Sequence, residues 1–465
     1  MAPLDQAVRR ALDEIVGAAR VLTDPKSLRR YGADWSRVGT PRPAAVVLPG
    51  TAAEVQQVVR LAGRERLAIV PSGGRTGLSG GAVAARGELV LALDRLNAIE
   101  DFNPVDRTVR CGAGVITRQL QDYAAQHNLC YPVDFASSGS SQIGGNISTN
   151  AGGIKVIRHG MTRDWVAGLK LVTGSGELLD LNRGLIKNNA GYDLRHLVVG
   201  AEGTLGVVVE ATMRLDTPPG DLAVLVLGVP HMGAIMSVLA AFQTAVPLSA
   251  FEFFSEPALE KVVAHQGLQR PFETPAPYYA LLEFERVGER ALERAMTRFE
   301  HCLEQGWVLD GVVSQSVAQA QSLWRLREDI SETLSRWTPY KNDLSTVVSR
   351  VPDFLAEVEA VVNARYPEFE IIWFGHIGDG NVHLNVLKPD ALPLAEFQQR
   401  CGEVSQWVFE IVQRYGGSIS AEHGVGLLKK DYLHYSRSET EIAIMRQIRR
   451  AFDPLGIMNP GKVFD

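Results

Sequence analysis

Apolar and polar positions along the chain follow two rhythms, and the change between them falls near residue 218. In the first part, short continuous apolar runs predict buried strands at 44–48, 67–70, 89–93, 108–111, 168–172 and 206–215. Thr51-Ala52-Ala53-Glu54 has the pattern of a capping box and predicts a helix to about residue 65. The linker signal is Thr217-Pro218-Pro219-Gly220. Beyond it, strands at 223–229, 250–254, 278–285 and 308–313 alternate with helical segments, an order that suits one sheet with helices packed on a single face. Segments 370–375 and 382–387 predict a hairpin around a glycine turn. A helix over 394–415 stops at Gly416-Gly417. The last helix opens on a Ser438/Glu441 capping box and carries Ile442, Met445, Ile448 and Phe452 on one face.

At 465 residues the chain exceeds what one hydrophobic core supports, so two domains are expected. The balance of 47 basic and 53 acidic residues gives a net charge of −6, which weighs against a nucleic-acid binder. The four cysteines are far apart and form no C-x-x-C pair, as in a reduced, cytoplasmic protein. The first residues carry acids and lack an apolar stretch, so no secretory leader is expected. No apolar run approaches the ~18 residues that a membrane span requires.

Two loops bring in chemistry. One is PSGGRTGLSGG, Pro71 to Gly81; the other is SSGSSQIGGNISTNAGG, Ser137 to Gly153. Such loops can turn many backbone N–H groups toward one anion, a diphosphate above all, or they can be plain surface turns. Gly112-Ala113-Gly114 starts a dinucleotide fingerprint, but Thr117 fills its last place. The stretch from Gly456 to Lys462 imitates a phosphate loop, yet Val463 stands where Ser or Thr is needed and no helix can follow.

Of ten histidines, His127, His231, His265 and His301 are isolated and read as surface or packing residues. His376 and His383 differ, because GHIGDGNVHLN sets a glycine turn between them and a hairpin can bring the rings across from each other. They are a metal-binding pair or a pair of ordinary satisfied histidines. Glu422 and His423, in AEHG, add a carboxylate and a further imidazole. Two imidazoles and a carboxylate suit Zn²⁺, with other divalent transition metals possible. Asp379, in the turn, is expected to bond its own backbone. Trp324, Arg327 and Ser331 fall on one face of a helix, and a guanidinium offers a fork for a carboxylate. Arg325 and Glu328 read as a solvated pair.

These residues carry a resemblance. PSGGRTGLSGG, YPVDFASSGSSQIGGNISTNAGG and NNAGYDLRHLVVGAEGTLGVVVE resemble the FAD-binding domain of the vanillyl-alcohol-oxidase-type flavoproteins. GHIGDGNVHLN and AEHGVG narrow the likeness to their D-2-hydroxyacid dehydrogenase branch. It covers nearly the whole chain. The fold it implies is α+β: a two-subdomain FAD-binding domain over 1–217, a substrate- and metal-binding domain with an antiparallel sheet over 218–450, and a C-terminal segment, 451–465, returning to the first.

The resemblance also implies roles. Gly73, Gly74, Arg75, Thr76, Gly77, Ser79 and Gly80 would surround the FAD pyrophosphate. Pro132, Ser140, Gly144, Gly145, Asn146, Thr149 and Gly152 would line the flavin and its ribityl chain. Glu202, Gly206 and Val208 would lie on the adenine side or beneath it, and Asn459 would return to the flavin. The first loop holds no histidine to tether the cofactor, so noncovalent FAD is expected, with Cys130 read as a buried apolar thiol. His376, His383 and Glu422 match the metal ligands, with zinc the usual ion, and His423 matches the base. Arg327 would hold a substrate carboxylate with help from Lys341, otherwise an exposed lysine. Asn385 would orient the substrate, and Ser331 stands where the family has Thr. The expected reaction is oxidation of a D-2-hydroxyacid, D-2-hydroxyglutarate first, to its 2-oxoacid. D-lactate or glycolate, or a non-catalytic flavin subunit, are the alternatives. An electron-transfer flavoprotein or a quinone would accept the electrons, and a homodimer is the default assembly.

Overall fold

A computed structural model of the chain describes residues 4–288 and 290–465. Residues 1–3, the start of the first expected domain, lie outside the described residues. The chain divides into two compact units. Unit 1 comprises residues 1–152, 160–218 and 422–465; unit 2 comprises 153–159 and 219–421. The return to unit 1 therefore comes at Glu422, earlier than the 451 expected. The reason is local: Val425 and Gly426 bond the Glu202 carboxylate, and Leu427 and Leu428 donate to the Ser79 carbonyl.

Unit 1 holds two sheets. In the first, β1 (Val21–Leu22), β2 (Ala45–Val47), β3 (Ile69–Ser72) and β4 (Leu89–Ala92) take the order β1-β2-β4-β3, with β4 parallel to both β2 and β3. Every residue of β2 and β4 is buried, which is why they read as unbroken apolar runs. The Ala52–Arg64 helix follows β2 and buries Val55, Val58, Val59, Leu61 and Ala62. The C-terminal segment extends this sheet, Met458 bridging to Ile69. The second sheet is antiparallel: β5 (Ile99–Asn103), β6 (Thr108–Gly112), β7 (Val166–Thr173), β8 (Leu178–Leu181) and β9 (Gly206–Arg214), in the order β5-β6-β9-β7-β8.

Unit 2 is built on one antiparallel sheet of β10 (Leu222–Val229), β11 (Leu248–Ser255), β12 (Tyr278–Glu285), β13 (Asp310–Val313), β14 (Tyr340–Ser345), β15 (Glu370–Gly375) and β16 (Asn381–Leu387). Their order is β13-β10-β12-β11-β15-β16-β14. Helices cover one face across its width. Phe299 of the Ala291–Glu304 helix lies over Gly311 of β13, Glu359 of the Val351–Arg365 helix faces Trp373, and Ser405 of the Leu394–Arg414 helix bonds Tyr340. On the opposite face the Glu256–Gln266, Val317–Glu328 and Ile330–Leu334 helices pack over Val224, Val226, Ala250, Phe254, Leu281 and Ile372. That face also carries the polar residues described next.

Candidate functional site

In unit 1 the two glycine-rich loops lie against each other. A Cβ on Gly74 would stand 2.3 Å from the Ser140 carbonyl oxygen and 2.8 Å from Ser141 Cα, so only glycine lets the backbones approach this closely. Gly73 also faces Gly145, but a Cβ there would stand at an ordinary contact distance of 3.4 Å. Gly145 itself looks into open space, with no protein atom within 4 Å of where its Cβ would be. Arg75 turns back on its own loop: Nη1 donates to the Gly73 carbonyl at 2.7 Å and the guanidinium sits 4.5 Å above the Tyr31 ring. The loop can thus offer an anion its backbone, while this side chain braces it. Thr76, Gly77, Ser79 and Gly80 complete the loop.

Pro132 and Ser140 precede the Ile143–Thr149 helix, which carries Gly144, Gly145, Asn146 and Thr149, and Gly152 ends this segment of the unit. Asn146 donates to Thr117 Oγ1 at 2.7 Å, and Thr149 to the Gly145 carbonyl at 3.1 Å. The Asn459 amide nitrogen donates to the carbonyls of Gly81 and Glu202, at 2.9 and 2.7 Å. Its amide oxygen is buried without a hydrogen-bond partner, as is Gln142 Oε1. The Glu202 carboxylate accepts from Val425 N at 2.7 Å and Gly426 N at 2.9 Å. Burial drives that carboxyl up to about 7 in spite of the two amides. Gly206 and Val208 sit in β9, below this turn in the sequence. Gly112 and Gly114 serve packing, since a Cβ on either would fall 2.2 or 2.1 Å from a carbonyl oxygen of Leu96 or Leu93.

In unit 2 the two-residue alternation of paired strands lines up polar side chains on one sheet face. The register runs Ala250↔Glu283, Phe254↔Phe374, Phe374↔His383, His383↔Asp343 and Asn385↔Lys341. Glu252, two residues before Phe254, shares the face. His376 lies just past the end of β15, where the chain turns over Gly380. That glycine has φ 86°, and a Cβ there would stand 2.2 Å from the Thr346 carbonyl. The His376 and His383 rings meet edge-on, their centroids 5.3 Å apart at 83°. Each ring turns Nδ1 to a buried carboxylate: His376 to Glu252 Oε1 at 2.8 Å, His383 to Asp343 Oδ1 at 3.8 Å. Burial opposes ionisation of Glu252, but His376 and Arg327 outweigh it and hold the carboxyl below its ordinary value. Asp379 accepts from Asn381 N, as expected of a turn Asp.

Arg327 reaches the same acid from the Val317–Glu328 helix. Its Nη2 lies 2.8 Å from Glu252 Oε2, and the guanidinium stacks 4.8 Å over Phe374. This contact is an ion pair by distance only, for neither Oε2 nor Arg327 Nε has an aligned hydrogen-bond partner. Asn385 is 1% exposed and its Oδ1 also lacks a partner. Trp324 Nε1 donates to Glu283 at 2.9 Å, so two donors three residues apart, Trp324 and Arg327, fix the helix to two acids of the sheet. The helix ends at Glu328, and Ser331 belongs to the short Ile330–Leu334 helix after Asp329. There its hydroxyl accepts from Lys341 Nζ at 2.9 Å. Lys341 is exposed as a whole residue, yet desolvation of its ammonium holds it below the ordinary lysine value. Arg325 pairs with Asp329 at 2.9 Å, the i,i+4 spacing of a helix face.

Glu422 and His423 open the last segment of unit 1, directly after Ala421, the end of unit 2. His423 Nε2 lies 3.6 Å from Glu422 Oε1. The remaining histidines named above have local duties: His231 caps the Met232–Gln243 helix, His127 stacks on Phe102, His265 meets Trp337 and His301 meets Trp307. Cys130 is half-buried and donates to the Thr217 carbonyl, unlike the buried Cys111, Cys302 and Cys401. It is held at an isolated bridge to Asp216 and not within the core. Glu252, Asp343 and Phe374 were missed in the sequence. The available signal was a lone acid in the apolar run AFEFFS, all of it buried.

The comparisons with known proteins agree along the length of the chain. Residues 43–182 match a family described as "FAD binding domain", and residues 219–463 one described as "FAD linked oxidases, C-terminal domain". A D-2-hydroxyglutarate dehydrogenase of Stutzerimonas stutzeri (strain A1501) is 60% identical over 460 residues, covering 99% of both chains. A D-2-hydroxyglutarate dehydrogenase of Xanthomonas citri pv. viticola is 56% identical over 455 residues, covering 98% of this chain and 96% of its own. Among solved structures, p-cresol methylhydroxylase with substrate bound superposes with a TM-score of 0.76 at 16% identity, over 99% of this chain and 98% of that one. Among the described residues no helix is long and apolar enough to cross a membrane. Both domain families, in this order and over this length, place the chain in the family of FAD-linked oxidases with the vanillyl-alcohol-oxidase-type fold.

Proposed function

We propose that the chain is an FAD- and metal-dependent dehydrogenase that oxidises D-2-hydroxyglutarate to 2-oxoglutarate. The observation that carries this reading is the 60% identity, over 99% of the chain, to a D-2-hydroxyglutarate dehydrogenase. The residues fit the cofactor. The joined loops, the open side of Gly145 and the two buried amide oxygens of Gln142 and Asn459 form a cradle of backbone and acceptors. Gly73, Gly74, Gly77, Ser79 and Gly80 would hold the pyrophosphate, with Thr76 beside them, and Ser140, Gly144, Gly145, Asn146 and Thr149 the flavin side. Bound FAD supplies a two-electron acceptor. The donor types also suit a cation: His376, His383 and Glu422 would supply two imidazoles and a carboxylate, and the His376 ring is oriented through Nδ1 by Glu252, as a supported metal ligand is, with Asp343 facing the His383 ring. A bound divalent ion, Zn²⁺ first, makes a hydroxyl beside it more acidic.

The side chains do the rest. Arg327 offers its unpartnered Nε–H and its fork to a substrate carboxylate, stacked in place by Phe374. Asn385 accepts or donates beside it, and Lys341, braced by Ser331, adds a second cation for a dicarboxylate. His423 takes the 2-hydroxyl proton at a ring nitrogen. The electrons leave to a carrier such as an electron-transfer flavoprotein or a quinone.

The test is anaerobic bleaching of the flavin by a panel of 2-hydroxyacids, before and after chelation and with Zn²⁺ restored. D-2-hydroxyglutarate should bleach fastest, chelation should stop it, and Zn²⁺ should bring it back. Faster bleaching by D-lactate or glycolate would reassign the substrate. No bleaching by any of them would make the chain a non-catalytic flavin subunit.

A further inference from the structure

Glu252 stands where the two halves of the unit 2 site meet. It is 1% exposed, in a strand whose every residue is buried. Oε1 lies 2.8 Å from His376 Nδ1, and Oε2 lies 2.8 Å from Arg327 Nη2. Its neighbours along the face, Ala250 and Phe254, are apolar, and a sheet gains nothing from a buried charge that a packed aliphatic would not supply. The two contacts do what an aliphatic cannot. An ionised carboxylate only accepts, so the His376 hydrogen sits on Nδ1 and the lone pair on Nε2. The guanidinium, meanwhile, is fixed from two sides, by Phe374 under its plane and Glu252 at its edge. Because Arg327 Nε has no partner, Glu252 positions the fork without consuming it.

We propose that Glu252 is a positioning residue that couples the cation side of the site to the substrate-carboxylate side, orienting His376 through one oxygen and Arg327 through the other. This rests on the reading of His376 as a metal ligand and Arg327 as the substrate anchor. One residue then governs two measurable constants that separate residues would govern independently.

The discriminating substitution is Glu252→Gln, which keeps the size but has one accepting oxygen and one donating amide. It serves one partner and turns a donor toward the other. Zn²⁺ affinity is measured on the FAD-loaded protein by competition with a chromophoric chelator, and KM and kcat are measured with D-2-hydroxyglutarate. Glu252→Gln should weaken Zn²⁺ binding about 10–100-fold and raise KM as well, with FAD content unchanged. Arg327→Ala should raise KM without weakening Zn²⁺ binding. If Glu252→Gln leaves Zn²⁺ affinity unchanged, or changes it with KM fixed, the coupling is wrong. If the parent protein shows no Zn²⁺ uptake that His376→Ala abolishes, the metal reading itself fails. Should Glu252→Gln not fold, ¹⁵N-histidine spectra of the metal-free parent decide: the His376 signals, assigned by their loss in His376→Ala, should show hydrogen on Nδ1, and hydrogen on Nε2 overturns the proposal.

Discussion

Burial drives the Glu202 carboxyl up to about 7 from its ordinary 4.5, while the Val425 and Gly426 amides favour its anion. Between those two values the folded chain binds more protons than the unfolded one. The stability this group contributes is therefore complete below about pH 4.5 and is lost as pH rises through about 7. Melting curves from pH 5 to 8 should show that loss in the parent and a flatter profile in Glu202→Gln. Equal slopes would put the titration elsewhere. Asp343 makes the matching case in unit 2, where it faces His383 Nδ1 from the opposite strand. Asp343→Asn should cost Zn²⁺ affinity roughly tenfold or more without loss of FAD. His376, His383, Arg327 and Asn385 stood out as candidates in the sequence because their chemistry and spacing are local. Glu252 and Asp343 were not, because what makes them matter is a partner on another strand or helix: Glu252 and His376 are separated by 124 residues.

At the scale of elements, the two loops make opposite predictions for the same change. Gly74→Ala puts a methyl 2.3 Å from the Ser140 oxygen, so the loops must part, and both FAD occupancy and melting temperature should fall. Gly145→Ala meets no protein atom and gains helix propensity of up to about 1 kcal/mol. The apoprotein should hold or gain stability while FAD affinity drops, because only a bound group would feel the methyl. If both variants keep FAD, the cradle is elsewhere. The helix signals were read well at their starts. Ser438 and Glu441 exchange both bonds of a capping box, and Ser438→Ala should cost about 1 kcal/mol in thermal unfolding. At Thr51 only half the box forms, since the Glu54 carboxylate reaches past the cap to Gly50 N at 2.6 Å. The strand Tyr340–Ser345 escaped notice because YKNDLS is polar on the face that carries Lys341 and Asp343.

For the whole molecule, the residues expected to hold FAD all lie in unit 1, and Arg327, Ser331, Lys341, His376, His383 and Asn385 in unit 2. His376→Ala and His383→Ala should thus abolish turnover and leave the FAD-to-protein ratio intact, as read from the visible spectrum of the purified variants. Release of FAD by either would place those rings in the wrong unit. The sequence alone determined which segments are buried strands, where the glycine loops fall, and which side chains have the chemistry to ligate a cation or anchor a carboxylate. Those properties follow from local alternation, turn residues and side-chain type. Tertiary structure alone decided that the chain enters unit 2 for residues 153–159, that it returns at 422, and that one buried acid serves both His376 and Arg327. Such pairings come from strand order and register, which juxtapose residues distant in sequence, and no local pattern encodes them.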